Sequence, residues 1–339
     1  MSFIRNIHLC NQIVILDGLT GTGKTMFSPL INSFERVQNA RFEYMIEYLC
    51  ITSDSGNVST DASNCMLNLL SDIKCYDGMI SREVNFRPKD LSSIFNNSKA
   101  ATYIKQLFMS DGKDAGIRIE REKPILFFVT HQILSCISPA LNAFKDRLKI
   151  VEMVRHPLYL LEHWDSYIMM HGNNPRDFTM WIDYNGTQLP WFARGWEQKY
   201  VESSSFDRSI YSIDFLMESV FSYANSDLIK DNIIFIPFER FVLQPDNYIK
   251  ELEVFLNTNI TAATPKVLKS QRVPRPSINA GPQKSIYKRY GLKKYEKGIS
   301  HQKDYETRWE YARIKSSNEA FEVLNRLSKQ YEDTFGMWI

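Results

Sequence analysis

The feature that most constrains the fold is the segment GLTGTGKT at residues 18–25, which matches the phosphate-binding pattern GxxxxGKT. An apolar run at residues 13–16 precedes it, and helix-compatible residues 26–37 follow it. The motif needs this context, because a strand must deliver the chain to a tight turn whose backbone N–H groups surround a phosphate at a helix N-terminus. We therefore predict a phosphate site made of Gly18, Leu19, Thr20, Gly21, Thr22, Gly23, Lys24 and Thr25.

Strand-like apolar runs recur along the chain, at residues 12–17, 125–130, 149–154 and 233–237. Runs that are apolar without alternation are typical of strands buried on both faces, as in a parallel sheet covered by helices. Helical patterns follow these runs at residues 25–38, 138–147, 157–170 and 245–256. This alternation predicts an α/β fold, in which a parallel sheet is flanked by helices as in P-loop nucleotide-binding proteins.

The sequence shows no internal repeat and no linker that would separate a second domain, so we expect one α/β domain over residues 1–339. Residues 51–122 are polar and are interpreted as a helical insertion over the sheet. The irregular residues 171–195 are interpreted as a cover over the substrate. A basic segment at 265–298 and a long C-terminal helix at 304–333 complete the chain.

The charge of the chain is unevenly distributed. Ten Lys or Arg and one acid, Glu296, lie between residues 266 and 297, although the net charge of the whole chain is only +2. The remainder is therefore acidic, which argues against a nucleic-acid surface, whereas a local basic segment suits a small polyanion. The five cysteines show no CxxC spacing and are expected to be reduced packing residues. No apolar run is long enough to span a membrane, so we expect a soluble, cytoplasmic protein.

The residues that follow the later strands indicate the chemistry. A Mg²⁺-dependent nucleotide hydrolase needs an Asp at the end of a strand, but these strands lead into His131, Arg155 and Glu239, so no metal is expected. Ligands bind at the carboxyl ends of strands in such sheets. A phosphate cradle, an imidazole and a guanidinium favour transfer of an anionic group to a hydroxyl, with His131 as the base. Alternatively, His131 only bonds a carbonyl group, and Arg155 only pairs with Asp165 or Glu162.

Three segments resemble the sulfotransferases. KIVEMVRHPLYLLEHWDSYI (149–168) is similar to their strand, Arg, Pro and helix, and IIFIPFERFVLQPDNYIKELEVFLN (233–257) is similar to their later strand, acidic turn, Pro and helix. FFVTHQ (127–132) resembles their strand ending in Thr-His, whose His is the catalytic base. The segments keep the order of the family, and the resemblance spans roughly residues 12–257.

The resemblance implies transfer of a sulfuryl group from 3′-phosphoadenosine 5′-phosphosulfate, without a metal, to a hydroxyl or amine of a small-molecule or glycan acceptor. His131 would accept the acceptor's proton, and Lys24 would stabilise the leaving phosphate. The 3′-phosphate serine of the family corresponds to His163, with Ser166 one turn further on, and QRVPRPSINAGP is a loose counterpart of a late basic segment. The residues implied in donor binding are those of the loop at 18–25 together with Arg155, His163, Ser166, Arg272 and Arg275.

The departures from the family pattern leave two alternatives open. The family loop lysine falls at Gly21, and a further family lysine falls at Val129, whereas Lys24 stands at the position used by nucleotide kinases. An ATP- and Mg²⁺-dependent small-molecule kinase is therefore one alternative, and a non-catalytic nucleotide-binding module is another. Aromatic residues near the cover suit either packing or a sugar or aromatic acceptor; they are Trp164, Trp181, Trp191, Phe192 and Trp196.

Overall fold

The computed structural model describes residues 3–90, 92–172, 177–282 and 300–337. Its main sheet is formed by β1 (Gln12–Asp17), β2 (Arg41–Phe42), β3 (Ile125–Val129), β4 (Leu148–Val154) and a later strand, β7 (Ile233–Pro237). Within the described residues these five strands are all parallel and lie in the order β2-β3-β1-β4-β7. The predicted α/β fold with a parallel sheet is confirmed.

The core explains why these segments are strands. β1 lies in the middle of the sheet, where Ile15 pairs with Phe128 on one side and with Ile150 on the other. All three side chains are fully buried, because helices cover both faces. The same register places Asp17 beside Glu152 and brings the carboxyl ends of the strands to one edge of the sheet.

Helices connect and flank the strands. Pro157 occupies the first turn of its helix, where its missing N–H leaves no hydrogen bond unmade. The helices before the midpoint of the chain are α1 (Lys24–Asn32), α2 (Tyr44–Asp54), α3 (Thr60–Met79), α4 (Ala100–Gln106), α5 (Gly112–Glu122), α6 (Ser138–Phe144) and α7 (Pro157–Met170). The later helices are α8 (Glu197–Glu202), α9 (Ser205–Ala224), α10 (Phe238–Leu243), α11 (Pro245–Phe255), α12 (Thr264–Ser270), α13 (His301–Lys315) and α14 (Asn318–Phe335).

The segment interpreted as an irregular cover contains a small antiparallel ribbon. β5 (Trp181–Tyr184) pairs with β6 (Thr187–Pro190) through the turn Asn185-Gly186. Both turn residues have positive φ, 52° and 81°, as a two-residue hairpin of this kind requires. Asn185 and Gly186 therefore close a hairpin.

Two helix predictions were wrong in their bounds. The single C-terminal helix predicted at 304–333 is two helices, because the side chain of Ser317 accepts the N–H of Ala320 and starts α14 after a break at Ser316. Helix α1 ends at Asn32 rather than near residue 38. The chain turns after Asn32, and Val37 forms a parallel β-bridge with Ile125, the first residue of β3.

Some of the predicted features fall partly outside the described residues. Of the basic segment 265–298, the structure describes the residues up to 282, while 283–299 lie outside the described residues. The five cysteines are free, and all but Cys65 are buried. In the part of the chain that is described, no helix has both the length and the apolar character needed to cross a membrane.

Candidate functional site

The loop after β1 has a backbone that only glycine adopts readily. Gly18, Gly21 and Gly23 have φ values of 136°, 94° and 104°. A Cβ atom at Gly18 would lie 2.3 Å from the carbonyl oxygen of Met153, and one at Gly23 would lie 2.6 Å from the ring of Phe238. The glycines are thus required both by conformation and by the close approach of β4 and α10.

Side chains from other elements hold this loop in place. The indole N–H of Trp164, on α7, donates to the carbonyl of Thr20 at 2.9 Å. The N–H of Thr20 in turn donates to the side chain of Gln132 at 3.4 Å, and the hydroxyl of Thr22 donates to the carbonyl of Leu19 at 2.8 Å. The loop therefore links β1, the turn after β3 and helix α7.

Lys24 is buried at the start of α1, beneath the loop. Its Nζ donates to the carbonyl of Gly18 and, at 3.1 Å, to that of Leu19. Burial lowers the pKa of Lys24, while the nearby carboxyl groups of Asp17 and Glu152 oppose that shift. The ammonium group thus lies at the loop, with two acidic side chains on the sheet side of it.

Asp17 fixes the turn that carries the predicted base. Its Oδ1 accepts the hydroxyl proton of Thr130 at 2.9 Å, and its Oδ2 accepts the N–H groups of Ile133 and Leu134 at 2.8 and 3.1 Å. Burial raises the pKa of Asp17, opposed by the charge of Lys24. The chain around His131 is therefore tied to the end of β1.

His131 has a carboxylate partner that sequence reasoning missed. Oε1 of Glu47, on α2, accepts the backbone N–H of His131 at 3.1 Å and lies 2.9 Å from its ring Nδ1. Glu47 is buried, whereas the side chain of His131 is 32% exposed. The alternative in which His131 bonds a carbonyl is not what the ring does here. A buried carboxylate therefore holds the imidazole of His131 at Nδ1, and Nε2 lies on the opposite side of the ring.

Aromatic side chains surround the ring of His131. Phe42 and Tyr44 stack on it with ring centroids 6.0 and 5.9 Å away. Phe178 contacts Tyr44 at 4.8 Å, and the Tyr48 hydroxyl donates to the Phe178 carbonyl at 2.9 Å. Phe42 and Phe178 are 40% and 49% exposed, so an apolar surface lies beside the imidazole.

Five aromatic residues near the cover were left open between packing and contact with an acceptor. Trp164, Trp191 and Phe192 are buried, and both Trp164 and Trp191 pack edge-on against Phe192. Trp196 is half-buried and donates its indole N–H to the carbonyl of Phe192 at 2.8 Å. Trp181 is half-buried on β5 and packs on His171. Packing within the fold accounts for these residues.

Arg155, directly after β4, contacts the loop. Its Nη1 donates to the carbonyl of Gly21 at 2.9 Å, and its guanidinium lies 4.6 Å from the centre of the Phe238 ring. Its Nε lies 3.9 Å from Oε1 of Glu239. The proposed alternative partners are engaged otherwise: Glu162 lies 3.7 Å from Arg308, and Asp165 accepts the hydroxyl of Ser205.

His163, on α7, also lies beside the turn at Gly21. A Cβ at Gly21 would be 3.2 Å from Cδ2 of His163, so the ring touches the loop. Burial, helped by the charges of Arg155 and Lys24, lowers the pKa of His163 to about 4. The imidazole is therefore neutral at pH 7 and offers a hydrogen bond rather than a cation. Ser166 is half-buried one turn further along α7.

The two arginines predicted after α12 differ in position. Arg275 is buried, with its guanidinium 5.5 Å from the Phe238 ring and its Nη1 donating to the carbonyl of Ile278 at 3.0 Å. Arg272 is exposed at the end of α12. Phe238 thus contacts both Arg155 and Arg275 and approaches the loop at Gly23, whereas Arg272 is placed on the surface.

The fold and the site together define an α/β protein in which a GxxxxGKT loop, two basic side chains and a His–Glu pair lie at one edge of a parallel sheet. No protein-family model and no curated protein sequence matches the chain.

Among solved structures, the chain is similar to the sulfotransferase domain of the Synechococcus PCC 7002 olefin synthase, with 8% identity, 98% of each chain covered and a TM-score of 0.44. It is also similar to the sulfotransferase domain of the curacin biosynthetic pathway, with 13% identity, 95% of this chain and 99% of that chain covered and a TM-score of 0.44. A third is retinol dehydratase in complex with androsterone and the inactive cofactor PAP, with 14% identity, 97% and 82% covered and a TM-score of 0.36. In its motifs and in the general course of its chain, the protein is similar to sulfotransferases.

Proposed function

We propose that the protein transfers a sulfuryl group from 3′-phosphoadenosine 5′-phosphosulfate to a hydroxyl or amine of a small-molecule or glycan acceptor. The observation that carries this proposal is the guanidinium of Arg155 against the phosphate-type loop, 2.9 Å from the Gly21 carbonyl. A donor with phosphate groups at both its 5′ and 3′ positions needs two adjacent anion sites. The loop and Arg155 supply such a pair.

The residues present suit this donor. The positive-φ glycines leave loop N–H groups at the N-terminus of α1, and Lys24 lies at the same place, so a 5′-phosphosulfate would be held by the loop. Arg155 would hold the 3′-phosphate, with neutral His163 as a hydrogen-bond donor, a role that Ser166 could share through its hydroxyl. Arg275 adds positive charge beside Phe238. Arg272 would act only at long range from the surface.

The chemistry divides between two parts of the site. In sulfuryl transfer the bond from sulfur to the 5′-phosphate breaks, a bond from sulfur to the acceptor oxygen or nitrogen forms, and the acceptor loses a proton. We assign that proton to Nε2 of His131, because Nδ1 faces Glu47 at 2.9 Å. Glu47 orients the ring and stabilises the imidazolium. Lys24 stabilises the charge that develops on the leaving phosphate.

The surroundings of His131 favour an acceptor with an apolar face beside its hydroxyl. Phe42, Tyr44 and Phe178 are uncharged, and two of them are more than a third exposed. Burying such surface contributes roughly 25 cal/mol per Å². An acceptor that reaches Nε2 of His131 would cover this surface, which supports an apolar small molecule over a highly charged one.

Lys24 and Thr25 at the GKT position favour one competing function, a Mg²⁺-dependent kinase. Thermal shifts with adenosine 3′,5′-bisphosphate and with ATP, each with and without Mg²⁺, separate the two. We expect the bisphosphate to raise the melting temperature without Mg²⁺ and more than ATP does. Stabilisation by ATP that requires Mg²⁺, with none by the bisphosphate, would reject the sulfotransferase assignment.

The assignment of the base is tested with His131→Ala, using the exposed His8→Ala as the control. We expect sulfuryl transfer to fall by about 10²–10⁴-fold in His131→Ala, as for loss of a general base, with bisphosphate affinity unchanged. Glu47→Gln keeps the size of the side chain and should lower turnover less. A wild-type protein that binds the bisphosphate but transfers no sulfuryl group to any acceptor of a broad panel would instead be a non-catalytic binding module.

A further inference from the structure

Arg155 is backed by a chain of buried polar groups that leads to the C-terminal helix α14. We propose that Tyr331, acting through Glu239, is a positioning residue that keeps Arg155 directed at the 3′-phosphate of the donor. The inference rests on the proposed function, since it assumes that Arg155 binds this phosphate.

Both oxygens of the Glu239 carboxylate are committed. Glu239 is fully buried, its Oε1 accepts the N–H of His156 at 3.1 Å, and its Oε2 accepts the hydroxyl proton of Tyr331 at 2.9 Å. Arg155 Nε lies 3.9 Å from Oε1, longer than the 2.7–2.9 Å of a charge-assisted bond. The two accepted bonds hold the carboxylate near Arg155 without letting it close into a bidentate pair.

This arrangement keeps the end of the guanidinium directed at the loop. Nη1 of Arg155 reaches the carbonyl of Gly21, so the fork of the side chain lies at the loop rather than on Glu239. A bidentate pair with Glu239 would neutralise the guanidinium and draw it away from the loop. Tyr331 prevents that competition by holding Oε2.

Glu332, the next residue of α14, binds to the chain at the end of β4 as well. Oε1 of Glu332 accepts the hydroxyl proton of Tyr305 at 2.7 Å and lies 3.3 Å from Nε2 of His156. The ring of His156 also meets the ring of Tyr331 edge-on at 5.2 Å. Tyr331 and Glu332 thus both contact the side chain of His156, the residue after Arg155, which makes α14 part of the support of the anion site.

The hydroxyl of Tyr331 remains a donor at all working pH values. Burial, followed by the charge of Glu239, raises the pKa of Tyr331 well above its ordinary value. The Tyr331–Glu239 bond is therefore a fixed element of the site and not a switch.

The test compares adenosine 3′,5′-bisphosphate with adenosine 5′-phosphate, which lacks the 3′-phosphate, by calorimetric titration of the full chain. Tyr331→Phe should weaken binding of the bisphosphate about tenfold, the usual scale of one buried hydrogen bond, and leave the monophosphate within twofold. Tyr311→Phe, a change on an exposed tyrosine of α13, should alter neither. In an Arg155→Gln background, Tyr331→Phe should have no further effect.

The outcomes separate the inference from the function on which it rests. If the wild type does not prefer the bisphosphate to the monophosphate, Arg155 does not bind the 3′-phosphate and the donor assignment fails. The positioning role is wrong if the wild type prefers the bisphosphate and Tyr331→Phe keeps the whole preference. It is also wrong if Tyr331→Phe weakens binding of both ligands equally. If Tyr331→Phe does not fold, Glu239→Asp replaces it, because the shorter side chain draws the carboxylate back from Tyr331. This variant must then show the same selective loss of bisphosphate binding.

Discussion

His163 provides a quantitative test of the electrostatics around the loop. Its pKa is lowered to about 4, mainly by burial, whereas an exposed histidine in the unfolded chain titrates near 6.5. Because the folded pKa is the lower one, the unfolded chain takes up the proton first as the pH falls. The native state is therefore fully stabilised above pH 6.5 and loses stability between pH 6.5 and pH 4. With these two pKa values, the free energy of unfolding falls by about 2 kcal/mol between pH 7 and pH 4.5.

The assay is urea unfolding at pH 7, 6, 5 and 4.5 for the wild type and for His163→Gln, a side chain that keeps a polar amide but does not titrate. The difference between the two proteins removes the contributions of other groups. Among these, Asp17 and Glu152 have raised pKa values and act with the opposite sign, since they stabilise the fold as the pH falls. His171→Gln is the matched control, because burial lowers the pKa of His171 to about 4 as well.

We expect each substitution to remove the contribution of its own histidine to the acid sensitivity. The free energy of unfolding of either variant should therefore fall by about 2 kcal/mol less than that of the wild type over this pH range. Identical pH profiles for the wild type and His163→Gln would refute the reasoning, because they would mean that His163 takes up its proton in the native state. In that case the ring would not be closed in between Gly21 and its charged neighbours.

Two further predictions concern the loop. Gly23→Ala forces a Cβ to within 2.6 Å of the Phe238 ring at a φ of 104°, so we expect urea unfolding to show a loss of about 1–3 kcal/mol together with weaker bisphosphate binding. Gly116→Ala, a helical glycine with open space around its Cβ position, should stabilise by about 0.5–1 kcal/mol, and similar effects for both would contradict the steric argument. Trp164→Phe removes the bond to the Thr20 carbonyl and should cost about 1 kcal/mol, with faster hydrogen exchange of the loop amides; unchanged exchange would show that the indole does not restrain the loop.

The main sheet was predictable because its strands are local apolar runs whose burial on both faces leaves a clear pattern. β2 was not, because two residues, Arg41 and Phe42, carry no periodicity, and pairing with β3 alone defines them. The C-terminal helix was predicted as one piece because its pattern continues across Ser316 and Ser317. The break depends on a cap, and the N–H of Ser317 also donates to Asp207, which is distant in sequence.

The candidate site also contains parts that could be predicted from the sequence and parts that could not. The loop is local in sequence and was found directly, and His131 and Arg155 followed from the rule that strands of a parallel sheet end at one edge. Glu47 precedes His131 by 84 residues, and nothing in its own segment marks it as a partner. The sequence left two roles open for the tryptophans near the cover, because composition does not distinguish an aromatic side chain in the core from one beside a reacting group.

The ring of Phe238 acts as a fixed spacer in this protein. It lies against the turn at Gly23 and also contacts two guanidinium groups, those of Arg155 and Arg275. The position of the Arg155 guanidinium relative to the loop is consequently set by contact with this ring and by its hydrogen bond to the Gly21 carbonyl, and not by attraction between two ions. Added salt screens charges but does not compress an aromatic ring. The strength of anion binding should therefore fall with ionic strength, while discrimination between isomers that carry their phosphates at different separations should persist.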